Sequence, residues 1–171
     1  MKDNESFTAQ INLPPVTQIG VIVRNMEQAV DFYSRAFGIA PFSPISDLVP
    51  DKSWYMGEIH PLHLRVSRAK WGTMEFELIQ PVAGKSIHHD FLDGHGEGIN
   101  HLGIEAGNYD EIVGRMNQAG FKPIQALEVF LPQYDCWGKA TFFDTRSIGG
   151  FVLEVMCRPW LASWLAHDDK R

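Results

Sequence analysis

Four side chains carry the chemistry that this sequence can support. Gln18 and His101 each open a short apolar run, and Glu77 and Glu154 each stand inside a β-rich run, in "FEL" and "LEV". Two carboxylates, one imidazole and one amide oxygen make a site for a divalent cation. Two negative ligands neutralise a 2+ ion, and four protein ligands leave octahedral positions open for water or substrate. Singly, each residue has a blander reading. A Gln at a strand start is usually polar edge, a lone His is usually hydrogen-bonded core, and a strand Glu usually faces solvent on the alternate pleat. These four differ in coming as pairs. The glutamates also have apolar neighbours on both sides, where a buried unpaired charge is costly. Glu75 shares the pleat face of Glu77, and Glu105 that of His101. Each is either a further carboxylate of the same site or exposed.

The pairing comes from an internal duplication. With His101 laid over Gln18, Gly103 falls on Gly20, Asn108 on Asn25, Glu111 on Gln28 and Val113 on Val30. The runs "IGVIV" and "LGIEA" read as strands. Asn25 and Asn108 then read as helix N-caps, with Gln28 and Glu111 placed to close capping boxes. Met26, Ala29, Val30, Tyr33, Ala36 and Phe37 form one apolar helical stripe, and Tyr109, Ile112, Val113, Met116 and Ala119 the other. Gly38 and Gly120 stop the helices. "GTMEFELIQP" and "GGFVLEVMCRP" each read as a strand that ends at its Pro. Each interval between helix and final strand has room for two more strands. The unit is therefore strand–helix–strand–strand–strand, twice. It predicts an α+β fold with an N-terminal tail (1–15), a first βαβββ module (16–81), a linker with a short helix capped by Ser86 (82–97), a second module (98–158) and a C-terminal tail (159–171). If the modules pack about a pseudo-twofold, Gln18, Glu77, His101 and Glu154 converge.

The remaining composition narrows the function classes. The chain has 171 residues and a net charge of −6. An acidic balance argues against nucleic-acid or anionic-membrane partners. No apolar run is long enough to span a bilayer, and the N-terminal segment lacks the apolar core of a signal peptide. Cys136 and Cys157 match no zinc spacing and read as reduced thiols of a cytoplasmic protein. The aromatic C-terminal tail reads as a helix packed on its own domain or as a dimer contact.

The segments "IGVIVRNMEQAVDFYSRAFG", "MEFELIQP", "EGINHLGIEAGNYDEIVGRMNQAGF" and "GGFVLEVM" resemble the vicinal oxygen chelate superfamily, also called the glyoxalase/bleomycin-resistance/dioxygenase fold. The resemblance covers about 16–158. It implies a cup-shaped eight-stranded mixed sheet with a metal in the cup, and its ligand positions fall on Gln18, Glu77, His101 and Glu154. "KSIHHDFLDGHGEGINHLGIE" is most similar to methylmalonyl-CoA epimerases, which usually carry His where this chain has Gln18. The Gln/Glu/His/Glu set resembles that of some glyoxalase I enzymes.

Members of these two types remove a proton next to a carbonyl, so the resemblance implies an isomerase, epimerase or lyase that forms a metal-bound enediolate. One divalent ion (Zn, Ni, Co, Mn or Mg) is implied, with a small-molecule carbonyl or thioester substrate and a homodimer. Glu154 or Glu77 is the expected base. His63 and Arg65 share a pleat face that would point into the cup, and Trp54, Tyr55, Phe130, Tyr134 and Trp137 are candidates to line an apolar pocket. The rival reading is a metal-free ligand-sequestering protein of the bleomycin-resistance type. An extradiol dioxygenase fits less well, since it needs two His and one carboxylate.

Overall fold

The structure, a computed structural model, describes residues 11–147 and 149–160. In chain order, β1 (Val16–Ile22) leads into α1 (Met26–Phe37), then β2 (Ser46–Leu48), β3 (Lys52–Tyr55), β4 (Glu58–Ile59), β5 (Leu62–Trp71) and β6 (Met74–Gly84). A linking helix, α2 (Ile87–Gly94), precedes β7 (Gly98–Glu105), α3 (Tyr109–Gln118), β8 (Pro123–Leu131), β9 (Cys136–Asp144) and β10 (Val152–Cys157). The strands form one sheet in the order β2-β5-β6-β1-β7-β10-β9-β8-β3-β4. The two βαβββ units meet at the central antiparallel pair β1–β7, and each closes with a parallel pair, β1–β6 and β7–β10.

The sheet has ten strands rather than eight. The extra two, β3 and β4, form a hairpin inserted between β2 and β5. β3 leaves its own module and pairs with β8 of the second. β2 and β3 sit near opposite ends of the strand order, yet only Val49, Pro50 and Asp51 separate them. That length of chain reaches at most about 14 Å. The sheet has therefore curled until its two edges nearly meet, which makes the cup.

Local sequence explains the helix ends. The Asn25 side chain accepts from the Gln28 amide at 2.9 Å, and Gly38 ends α1 in the left-handed region at φ 68°. Ser86 caps α2 by accepting from the His89 amide. Asn108 departs from expectation: it makes no capping bond, and its amide donates instead to the Glu111 carboxylate at 2.8 Å. β6 also departs, running through Pro81 to Gly84. β1 accompanies it only as far as the Ile22–Ile79 pair. Beyond that point β6 has β5 on one side alone, so the missing Pro81 N–H breaks no ladder.

Alternate residues of each strand serve two cores. Outward-facing Val21, Phe76 and Leu78 pack under α1, and Ile104, Leu153 and Val155 pack under α3. Inward-facing Ile22, Leu64, Val66, Ile79, Leu127, Phe142 and Met156 line the cup, which α2 closes with Ile87, Phe91 and Leu92. Among the described residues no helix is long and apolar enough to cross a membrane. Cys136 and Cys157 are unpaired. The N-terminal tail and the aromatic C-terminal helix expected from the sequence fall mostly on 1–10 and 161–171, outside the described residues.

Candidate metal centre

The four central strands bring the paired residues together by register. One row across the sheet reads Glu77, Gly20, His101, and the next reads Gln18, Gly103, Glu154. Each glycine thus lies between the glutamate of its own module and the ligand candidate of the other. The glycines have to be small. A Cβ on Gly20 would sit 1.9 Å from His101 Nε2, and one on Gly103 would sit 2.8 Å from Gln18 Oε1. The spacings Gln-x-Gly and His-x-Gly therefore record one requirement seen from both modules. All four side chains are buried, His101 completely.

Neighbouring groups fix the orientation of two of them. Gln18 Nε2 donates to Glu75 Oε1 at 2.7 Å, so the amide oxygen points away from Glu75, where it has no partner. His101 Nδ1 lies 3.1 Å from Asn100 Oδ1, which can only accept. That contact places the proton on Nδ1 and leaves the Nε2 lone pair facing the cup. His101 Nε2 is 3.3 Å from Glu154 Oε2 and 3.8 Å from Glu77 Oε2. One ligand atom each from Glu77, His101 and Glu154 lie within 4.8 Å of one another. Gln18 Oε1, His101 Nε2 and Glu154 Oε2 are all buried without a hydrogen-bond partner. Lone pairs converging at this distance repel unless a proton or a cation lies between them.

Charge balance points the same way. Arg68 binds Glu77 at 2.5 Å, and Arg158 bridges Glu75 at 2.7 Å and Glu105 at 2.9 Å. Four carboxylates against two guanidiniums leave the inner cluster at −2 when His101 is neutral. A single 2+ ion neutralises it. The residues present therefore fit a divalent cation with mixed oxygen and nitrogen ligands.

The two central glutamates have different environments. Burial raises Glu77, but Arg68, His101 and Arg158 overcome it and hold the carboxyl down at about 2. Burial pushes Glu154 up to about 7, with the Glu77 charge adding to it and His101, Arg158 and Arg68 opposing. Burial lowers His101, yet Glu154 and Glu77 outweigh it and hold the imidazole above its ordinary value. In the metal-free protein Glu154 and His101 thus keep protons that the unfolded chain has lost. Between about pH 4.5 and 6.5 buried His88, held down at about 3, offsets this excess; above about pH 6.5 the folded state binds more protons than the unfolded one, so stability falls as pH rises through 7. A divalent ion replaces those protons. Scanning calorimetry with and without zinc should show a larger metal-induced rise in Tm at pH 8 than at pH 5.5. An equal rise at both would mean that no proton is displaced.

A cavity of about 310 Å³ opens from this cluster, walled by Leu64, Val66, Ile79, Leu127, Phe142 and Met156. None of the seven candidates for substrate contact, His63, Arg65, Trp54, Tyr55, Phe130, Tyr134 and Trp137, lines it. His63 and Arg65 fall on the outward pleat of β5, because Leu64, Val66 and Arg68 take the inward one. His63 instead contacts Asp47 at 2.6 Å, and Arg65 bonds Glu27 of α1 at 2.6 Å and Gln80 at 3.1 Å. Trp54 is displaced by the same alternation, since Ser53 and Tyr55 take the inner side of β3. Trp137 is exposed on the outer face of β9, its ring tilted at 47° against Phe130 with the Lys52 ammonium over it. Tyr134 is exposed and stacks on Trp160, which does reach the cavity. The sequence reading missed Arg68, Arg158 and His88, which do line it. For Arg68 the signal was present: it lies three residues from Arg65, an odd separation that puts the two on opposite faces, and only the register with Glu77 decides which of them enters.

A family model described as the Glyoxalase/Bleomycin resistance protein/Dioxygenase superfamily matches residues 17–130. The chain belongs to this superfamily. The uncharacterized protein YqjC of Bacillus subtilis is 23% identical over 141 residues, which is 82% of this chain and 89% of that one. Solved structures with the same fold include methylmalonyl-CoA epimerase from Mycobacterium tuberculosis, with TM-score 0.57 and 16% identity over 92% of this chain and 98% of that one. A Streptomyces coelicolor methylmalonyl-CoA epimerase variant in complex with 2-nitronate-propionyl-CoA gives TM-score 0.59 and 16% identity, covering 86% of this chain and 99% of that one. At such identities these structures show a shared fold.

Proposed function

We propose that this protein is a divalent-metal-dependent isomerase, epimerase or lyase that removes a proton next to a carbonyl. The observation that carries the reading is the set of buried, unpartnered atoms Gln18 Oε1, His101 Nε2 and Glu154 Oε2 converging beside Glu77 in one cavity. In this reading all four residues hold the ion. When bound there, the ion supplies Lewis-acid polarisation of a substrate carbonyl. Glu77, gripped by Arg68 and held ionised, is a permanent ligand. Glu154 has no arginine gripping it, so it is the more weakly anchored of the two carboxylates and the one that can release the ion to take a proton. The base is therefore assigned to Glu154 rather than Glu77. The apolar walls exclude water from the reacting carbon.

The substrate class is a small carbonyl compound or acyl thioester, supported by the acyl-CoA ligands of the structural neighbours. A homodimer and a cytoplasmic location belong to the same proposal. The test is solvent deuterium exchange at the α-carbon of a panel of acyl thioesters and 2-oxo acids, run with the zinc- or cobalt-loaded protein. Exchange that stops on adding a chelator and returns with metal is the expected result. Binding of panel members without any exchange would favour the ligand-sequestering reading.

A further inference from the structure

We propose that His88 is a substrate-reading residue: from the floor of the cup it hydrogen-bonds a neutral oxygen substituent, hydroxyl or keto, of the molecule whose carbonyl sits at the Gln18–Glu77–His101–Glu154 cluster. This rests on the site assignment above. His88 is 1% exposed, neither ring nitrogen has a partner, and the ring lines the cavity. It lies edge-on to His101 and to Phe142, with ring centroids 6.0 and 5.4 Å away.

The helix backbone around His88 is tied down. The Ile87 amide donates to Gln125 Oε1 at 2.8 Å, the His89 amide and ring both engage Ser86 Oγ, and the Tyr55 hydroxyl donates to Asp90 at 2.6 Å. The first turn of α2 is thus fixed against β3 and β8 by the residues on either side of His88. The one side chain of that turn facing the cavity is the one left unsatisfied. A buried imidazole without partners is unfavourable, and a well-packed apolar residue would fill the place better. A bound molecule that offers a hydrogen bond removes the deficit.

The surroundings limit what that molecule can offer. The walls beside His88 are apolar, both cavity arginines are committed to glutamates of the central cluster, and the cavity's lysine, Lys139, pairs with Asp110 at 3.7 Å. A carboxylate placed at the floor would be a buried charge without a counter-ion, which is strongly disfavoured. A hydroxyl or ketone oxygen matches a neutral imidazole. Sites built to hydrogen-bond a polar substituent reject the hydrocarbon analogue far more strongly than apolar pockets reject a methylene.

The test uses two probes of nearly equal shape, 4-hydroxy-2-oxobutanoate and 2-oxopentanoate, titrated into the zinc-loaded protein. His88→Leu and His88→Gln are compared with wild type. Zinc content is measured first and reports on the metal site alone; it should be unchanged in both variants. Wild type should bind the hydroxylated probe roughly ten-fold or more tightly than its hydrocarbon partner. His88→Leu should bring that ratio near one with no fall in Tm, and His88→Gln should keep part of it. Equal binding of the two probes to wild type, binding of neither, or a lower Tm in His88→Leu would each overturn the proposal. The last would show that His88 has a structural partner.

Discussion

Gly20→Ala should empty the metal site while Gly103→Ala only weakens it. The added methyl at position 20 would lie 1.9 to 2.5 Å from three atoms of the His101 ring. That ring is fully buried, bonded to Asn100, and flanked by His88 and Phe142, so it has no free direction in which to move. Either His101 leaves the cluster or β1 and β7 separate. We expect a loss in metal affinity of about 100-fold or more, beyond the range typical of residues that merely support ligands. Overpacking should cost about 1–3 kcal/mol of stability. At Gly103 the two nearest obstructing atoms, Met156 Cε at 2.7 Å and Gln18 Oε1 at 2.8 Å, are ends of flexible side chains, and Gln18 Cβ at 3.0 Å needs only a shift of β1 by a few tenths of an ångström. Zinc titration of the two variants measures the contrast. Wild-type affinity in Gly20→Ala would mean that the His101 ring does not lie over Gly20.

Glu154→Gln should separate binding from chemistry. The amide keeps an oxygen at the position of Oε2 but loses the charge and the basicity. Metal should remain, held by Gln18, Glu77 and His101, while α-carbon deuterium exchange falls by about 10²–10⁴, the usual contribution of a positioned base. Glu77→Gln should do the reverse and lose metal first. It removes the charge that Arg68 and His101 gather around and leaves Arg68 only its longer 3.6 Å contact with Glu75. Metal content and exchange rate measured on the same samples decide between the two roles. If both variants lose metal equally, the division of labour between the glutamates is wrong.

Much of this was legible in the sequence because it repeats. Pairing Gln18 with His101 and Glu77 with Glu154 located the central four strands and the cluster, and the Asn25 and Ser86 caps and the Gly38 stop were read from residue type alone. What escaped depended on long-range register. The β3–β4 hairpin occupies a stretch whose local pattern allows strands but does not say which edge they join, and its partner β8 lies more than 60 residues away in the chain. The inward and outward pleats of β5 differ by one residue. A polar Arg65 bonded to α1 and a polar Arg68 bonded to Glu77 look alike until the strand is paired. Trp54 and Trp137 were misplaced for the same reason: large aromatic rings suit either face of a curled sheet, and here they take the outer one. His88 was hidden differently. On an amphipathic helix it reads as polar surface, and only the closure of the cup by α2 buries it.

Cobalt titration followed by visible absorption tests the central claim most directly. Cobalt(II) reports stoichiometry and ligand set together. Wild type should bind one cobalt per chain and show the weak d–d bands of a mixed nitrogen and oxygen site with more than four ligands, and His101→Ala should lose both while far-UV circular dichroism is unchanged. Absence of cobalt binding by wild type above pH 7, or identical spectra for wild type and His101→Ala, would contradict it.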